Sequence, residues 1–127
     1  MGGMKTIICD IDGTLVNYMG NGHWSIANTE HEACTGAREH MRAWEAQGHR
    51  IILITGRRES VRERTESELR RLGIPFDVLL MGYADSGRVL INDLSPHVGT
   101  KCHAVPVVRD GDWNKVNWGA VGLDSLE

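Results

Sequence analysis

The stretch "KTIICDIDGTLVNY", Lys5 to Tyr18, sets Asp10 and Asp12 one residue apart at the end of an apolar run, with Gly13 and Thr14 behind them. Two like charges that close repel, and a chain holds such a pair where solvation, a cation or a shared proton offsets the repulsion. Thr6, Ile7, Ile8 and Cys9 read as a buried strand, so Asp10 falls at the strand's carboxyl end rather than in open water. If the chain stays extended through Ile11, the period of two turns both carboxylates the same way. A cation site is the chemistry this spacing predicts. Two more apolar runs end in polar residues: "RIILIT" (Arg50 to Thr55) runs into Gly56 and Arg57, and "RVLIN" (Arg88 to Asn92) runs into Asp93. Ligands of open α/β sheets bind beyond the carboxyl ends of the strands, so these clusters belong to one edge. Their oxygen donors suit Mg²⁺, and the glycine and helix start expected after Thr55 suit a phosphate oxygen.

The elements that must position these residues alternate. The first strand is followed by a polar segment, Gly13 to Asn28, read as a loop or small hairpin with Trp24 and Ile26 as anchors. Thr35 and Gly36 open a helix whose Ala37, Met41 and Trp44 share a face, and Gly48 is placed to close it. The nearly continuous apolar strand "RIILIT" is what a parallel strand covered on both faces requires. "RRESVRERTESELRRLG" follows as a helix with Val61, Leu69 and Leu72 inward and Glu66 paired to Arg70 on the wet face, ended by Gly73 and Pro75. "FDVLLM" (Phe76 to Met81), "RVLIN" and "CHAVPVV" (Cys102 to Val108) complete the strands, Pro106 putting the last at an edge. The expected fold is α/β: a three-layer Rossmann-like sheet of mainly parallel strands with helices on both faces and no cap domain. The tail after Asp110, with Trp113 and Trp118, carries no legible pattern.

With 127 residues and 41% hydrophobic content, the whole chain, residues 1–127, is expected to be one domain with a single core. The net charge of −3 gives no basic field for nucleic acid, and no apolar run approaches the roughly 20 residues that span a bilayer. Met1 to Lys5 lack a signal-peptide pattern, and Cys9, Cys34 and Cys102 are odd in number and never spaced CxxC. Reduced thiols and a cytoplasmic setting are the expectation.

"DIDGTL", then "ITGR", then "IND" resemble, in order, the motifs of the haloacid dehalogenase-like phosphatase superfamily. The resemblance covers nearly the whole chain and is closest to the small members without a cap, because neither residues 16–35 nor 58–81 have room for one. It implies a Mg²⁺-dependent phosphatase in which Asp10 is the nucleophile forming an aspartyl-phosphate. Asp12 would be the general acid for the leaving alcohol and then the base that activates water. Thr55 and the Gly56 amide would hold the phosphoryl oxygens, and Asp93, with Asp10 and the Asp12 carbonyl, would hold Mg²⁺. A metal also answers the opening repulsion, since a carboxylate does not readily attack a phosphate dianion without one. The family's third motif, a lysine, is missing: none lies between Thr55 and Asp93. Arg88 is the candidate substitute, Lys101 is second, and Arg57 beside Gly56 could contribute to phosphate binding. Asn92 stands where many members carry a second acid and is read as a polar contact to the metal's surroundings.

Plainer readings compete at each place. Asp-Gly is a turn signal by itself, but the two other clusters in register argue for more. The mixed run Arg58 to Arg71 reads as a solvated helix face without function, and His31 with Cys34, or Cys102 with His103, does not match a zinc spacing. His23, Trp24 and His97 are as well explained by packing as by substrate contact. A receiver domain would need a phospho-acceptor acid at a central strand end, where "ITGRR" has none. A non-catalytic phosphate-binding relative stays open because the lysine is missing. Overall resemblance of "LLMGYADSGRVLINDLSP" to phosphatases met beside sugar-phosphate metabolism favours a small phosphorylated metabolite as substrate. A polynucleotide-end phosphatase is the alternative, against which the net negative charge weighs. Without a cap the site is open, so the substrate is large or a second subunit in a homo-oligomer covers the opening.

Overall fold

The computed structural model describes residues 3–18, 30–84 and 86–126; His23, Trp24 and Ile26, and most of the segment read as a loop or hairpin, lie outside them. Three strands, β1 (Thr6–Cys9), β2 (Arg50–Thr55) and β3 (Val78–Met81), form a parallel sheet in the order β1-β2-β3. Helix α1 (Ala37–Ala46) connects the first two, and α2 (Arg62–Leu72) the second pair. Register is even: Thr6 pairs with Arg50 and Cys9 with Leu53, then Ile52 with Val78 and Thr55 with Met81. The α/β reading therefore holds for these five elements, and no cap unit is present among the described residues.

The expected helix faces explain the core. On α1, Ala37, His40, Met41 and Trp44 are buried, as positions three and four apart on one face must be together. Ile51 and Leu53 of β2 and Leu69 and Leu72 of α2 are buried with them. Gly48 closes α1 at φ 99°, a conformation a side chain would strain, and its amide donates to the Glu45 carbonyl at 2.9 Å while His49 N reaches Trp44 O at 3.1 Å. Glu66 pairs at 3.3 Å with Arg62, four residues before it, rather than with Arg70.

Three expectations fail. Arg88 to Asn92 is not a strand: it is irregular, with Val89 and Ile91 87% and 89% exposed. A parallel strand needs a crossover of about a dozen residues, and residues 82–87, all that separate β3 from Arg88, are half that. Cys102 to Val108 is irregular too, and between the two runs the only pairing described is a two-residue antiparallel hairpin, β4 (Leu94–Ser95) with β5 (Gly99–Thr100). Finally, α2 does not start directly after Thr55. Residues 56–58 bend, Glu59–Val61 form a single 3-10 turn, and the α-helix begins at Arg62.

The tail that sequence patterning could not read is part of the core. Two 3-10 turns, Trp113–Lys115 and Trp118–Val121, bring Trp113 and Trp118 against Trp44. The Trp44 and Trp118 rings meet edge-on at 4.9 Å, and Trp113 and Trp118 are also 4.9 Å apart. Each indole N–H is satisfied by a carbonyl: Trp44 by Asp124, Trp118 by Trp113, and Trp113 by Thr14. Such cores lose both transfer energy and packing when a ring is removed, so Trp118→Ala is expected to destabilise the protein by about 3–5 kcal/mol in urea unfolding. A change below about 1 kcal/mol would show that the tail is not part of the cooperative core.

Candidate active site

Asp10 follows β1 directly, and the chain then turns tightly: the Ile11 carbonyl accepts from the amides of Thr14, Leu15 and Val16 at 3.2, 2.9 and 3.1 Å. Ile11, Leu15 and Val16 are fully buried, so the loop carrying the two carboxylates is anchored in the core on the side away from them. Gly13 takes φ 81°, and a Cβ there would lie 3.2 Å from Arg109 Cγ, so both backbone and space call for glycine. The tail clamps the same loop from outside. Asp110 N donates to Gly13 O at 2.8 Å, Asp110 Oδ1 accepts from Tyr18 N at 2.7 Å, and Trp113 Nε1 donates to Thr14 O at 2.9 Å.

Around Asp10 the partners are few. Thr14 Oγ1 donates to its Oδ2 and Arg88 Nη1 to its Oδ1, both at 3.3 Å. Burial pushes the Asp10 carboxyl above the usual carboxylate range; the Ile11 amide and Arg88 pull it back, and the nearby Asp12 charge adds to the rise. Arg88 reaches Asp10 because its segment is irregular and no strand holds its backbone away from the site.

Asp12 has a different environment. Arg57, 2% exposed, grips it with both edges of its fork, Nε to Oδ2 at 2.9 Å and Nη2 to Oδ1 at 2.7 Å. The same guanidinium donates to Thr65 Oγ1 at 3.2 Å and Glu68 Oε1 at 3.0 Å, and Glu68 Oε2 lies 2.7 Å from His31 Nδ1. Burial opposes the Arg57 charge, but Asp12 and Glu68 more than offset it and hold the guanidinium's pKa above its ordinary value. Arg57, expected to contribute to phosphate binding, is thus turned onto Asp12 and Glu68. Glu68 was missed because it sits in a run of alternating charges. Its spacing gave the signal: Thr65, Glu68, Leu69 and Leu72 lie on one helical face, and all four are buried.

Thr55 is buried at the end of β2, its hydroxyl accepting from Arg57 N at 3.0 Å, while Gly56 beside it is partly exposed. Because α2 starts later, the chain after Thr55 is a bend rather than a helix N-terminus. Asp93 is not brought to the aspartate pair. It lies in the irregular segment after Arg88, paired to Lys101 Nζ at 2.5 Å and to Asn92 Nδ2 at 3.1 Å. Among the described residues no three His, Cys, Asp or Glu side chains gather as a metal cluster. The His97 backbone amide donates to Ser95 Oγ at 3.2 Å, and Lys101 is half-exposed against Asp93.

The donors around Asp10 still fit a hard cation: a carboxylate and a backbone carbonyl are all-oxygen, and the half-buried Asp10 has a cationic neighbour, Arg88, at 3.3 Å.

Residues 4–88 match the family model of the polynucleotide kinase PNKP phosphatase domain. The chain is also similar to solved structures. One is a Pnkp1/Rnl/Hen1 complex, 31% identical with a TM-score of 0.55, the alignment covering 67% of this chain and 30% of that one. Another is the Pnkp1/Rnl/Hen1 RNA repair complex, 31% identical with a TM-score of 0.56 over 67% and 28% of the two chains. The chain therefore spans less than a third of the length of those it matches. No curated protein matches. With more than half of its length in the family match, including Asp10, Asp12, Thr55 and Arg88, the chain belongs to the polynucleotide kinase PNKP phosphatase-domain family of haloacid dehalogenase-like phosphatases.

Proposed function

We propose that the protein is a Mg²⁺-dependent phosphomonoesterase that removes terminal phosphates from polynucleotides through an aspartyl-phosphate on Asp10. The observation that carries this reading is the match of residues 4–88 to a polynucleotide-kinase phosphatase domain over the stretch that holds the aspartate pair, Thr55 and Arg88. The similar Pnkp1 structures, solved in complexes with Rnl and Hen1, support a nucleic-acid setting and protein partners over a lone small-molecule substrate. The net charge of −3 weighs the other way and keeps a sugar phosphate or related metabolite as the second reading.

In the proposed reaction an Asp10 oxygen attacks phosphorus and the ester P–O bond breaks. Asp12 gives a proton to the leaving oxygen, then takes one from the water that hydrolyses the acyl phosphate. Thr55 and the Gly56 amide would hold phosphoryl oxygens. Arg88, already on Asp10, would supply the fixed positive charge that the family's lysine otherwise gives. The Asp10 carboxylate and Asp12 carbonyl would hold Mg²⁺, and Asp93 would join them only by leaving Lys101. When bound, the ion offsets the repulsion between nucleophile and phosphate.

Phosphate release from an aryl phosphate should vanish in excess chelator and return with Mg²⁺, and Asp10→Asn should abolish it; activity persisting in either case sinks the mechanism. Among natural substrates, a phosphorylated oligonucleotide should exceed any sugar phosphate in kcat/KM by about tenfold or more, roughly 1.4 kcal/mol of transition-state binding. The reverse order would favour the metabolite reading.

Removing the Arg88 charge should lower kcat by about a hundredfold, the cost of losing one electrostatic donor to the transition state, with partial recovery in Arg88→Lys. If Arg88→Ala is near wild type while Lys101→Ala is inactive, the charge comes from Lys101 instead.

A further inference from the structure

The buried side chains behind Asp12 are more extensive than holding one carboxylate demands. Asp12 keeps 23% of its side chain exposed, toward the site, while the Arg57 side chain behind it is 1% exposed and that of Glu68 7%. Arg57 could swing about its long side chain; two anchors away from Asp12 prevent that, Thr65 Oγ1 at 3.2 Å and Glu68 Oε1 at 3.0 Å. Glu68 is itself fixed, its second oxygen 2.7 Å from Nδ1 of His31, a side chain 2% exposed. Arg71, one turn beyond on α2, donates to the His31 carbonyl at 2.6 Å and ties that segment to the same helix. The order is Asp12, Arg57, Glu68, His31, running from the open site into the protein.

We infer that Glu68, backed by His31, is a positioning residue for the proposed reaction: it sets the orientation of the Arg57 fork and through it the place of the Asp12 carboxyl that transfers the proton. This rests on the phosphatase reading and adds to it two residues that touch neither substrate nor metal. Two parallel N–H···O bonds fix both the position and the plane of a carboxylate, so a tilt of the guanidinium moves the proton-transfer group directly. Proton transfer is sensitive to heavy-atom distance, and misplacement of about 1 Å can cost about a hundredfold. The Asp10 carboxylate bonds Thr14 and Arg88 instead, so its attack should be spared.

The test compares two aryl phosphates, a nitrophenyl ester whose leaving group needs little protonation and a plain phenyl ester whose leaving group needs it. Glu68→Ala should lower kcat on the phenyl ester by about thirtyfold or more and on the nitrophenyl ester by about threefold or less, with KM little changed. Glu68→Gln, which keeps an oxygen for Arg57, should recover much of the phenyl activity and also serves if the alanine variant folds poorly. His31→Ala should show the same selectivity more weakly. A second readout needs no activity: the Arg57 Nε–H resonance in NMR should exchange with water about tenfold faster in Glu68→Ala than in the wild type, as its anchored bonds loosen. Equal loss on the two esters, or unchanged Arg57 exchange, overturns the assignment. A folded wild type that hydrolyses neither ester overturns the phosphatase reading instead, and the exchange measurement alone then decides whether Glu68 orients Arg57.

Discussion

A guanidinium withdrawn from water is tolerable only where its charge and its planar set of donors are met, because the desolvation of an ion costs several kcal/mol before any pairing is counted. Arg57 meets that condition with two carboxylates and a hydroxyl, and in doing so it joins the loop after β1 to α2. It stands just after β2, reaches forward to Asp12 in the loop after β1, and reaches back to Thr65 and Glu68 on α2. Through Glu68 it also engages His31, in the segment leading to α1. Remove either carboxylate and the remaining ions are left buried and short of a partner. The arrangement of the site thus rests on one side chain that need not touch the substrate.

How much of this the sequence disclosed depended on whether the information was local. β1, β2 and the buried face of α1 follow from apolar runs and three-and-four spacing and lie where the residues put them, although β1 is an edge strand that is not buried as expected, Ile8 being 50% exposed. The aspartate pair, Thr55 and Gly56 lie at strand ends for the same reason. Arg88 to Asn92 has an apolar run as convincing as that of β2, yet it stays outside the sheet, since whether a run pairs depends on what connects it. That connection is non-local, and composition does not report it. With the strand went the delivery of Asp93 to the other two acids. Glu68 was hidden for the opposite reason: its neighbours in sequence are solvated charges, and only the helical period separates it from them.

The tail illustrates a further limit. Residues after Asp110 have no repeating pattern because they form 3-10 turns and loops, whose side chains point inward at irregular intervals. Their contribution comes through individual bonds. Trp113 and Trp118 extend the core around Trp44, while Asp110 and the Trp113 indole hold the carbonyls and amides of residues 13–18. The loop that carries Asp10 and Asp12 is thereby gripped between a buried inner turn and an outer strap, which limits the freedom of both residues through backbone bonds as well as through the Asp12 carboxylate.

Charge is the point at which the sequence and the family match pull apart, and the ion pairs show why they need not conflict. Net charge governs long-range steering, and −3 over the whole chain predicts none toward a polyanion. A terminal phosphate, however, is bound by groups within a few ångströms. The three cations that sequence placed near the site each face a carboxylate: Arg57 with Asp12 and Glu68, Arg88 with Asp10, and Lys101 with Asp93. Each of these cations is thus already matched by a carboxylate, and on the proposed function the phosphate would be received by the backbone and hydroxyl at the end of β2 and by a cation at Asp10. On the proposed function, such a site would select a phosphoryl group by geometry more than by field. If it acts on polynucleotide ends, the attraction to the rest of the strand must come from surfaces other than this one.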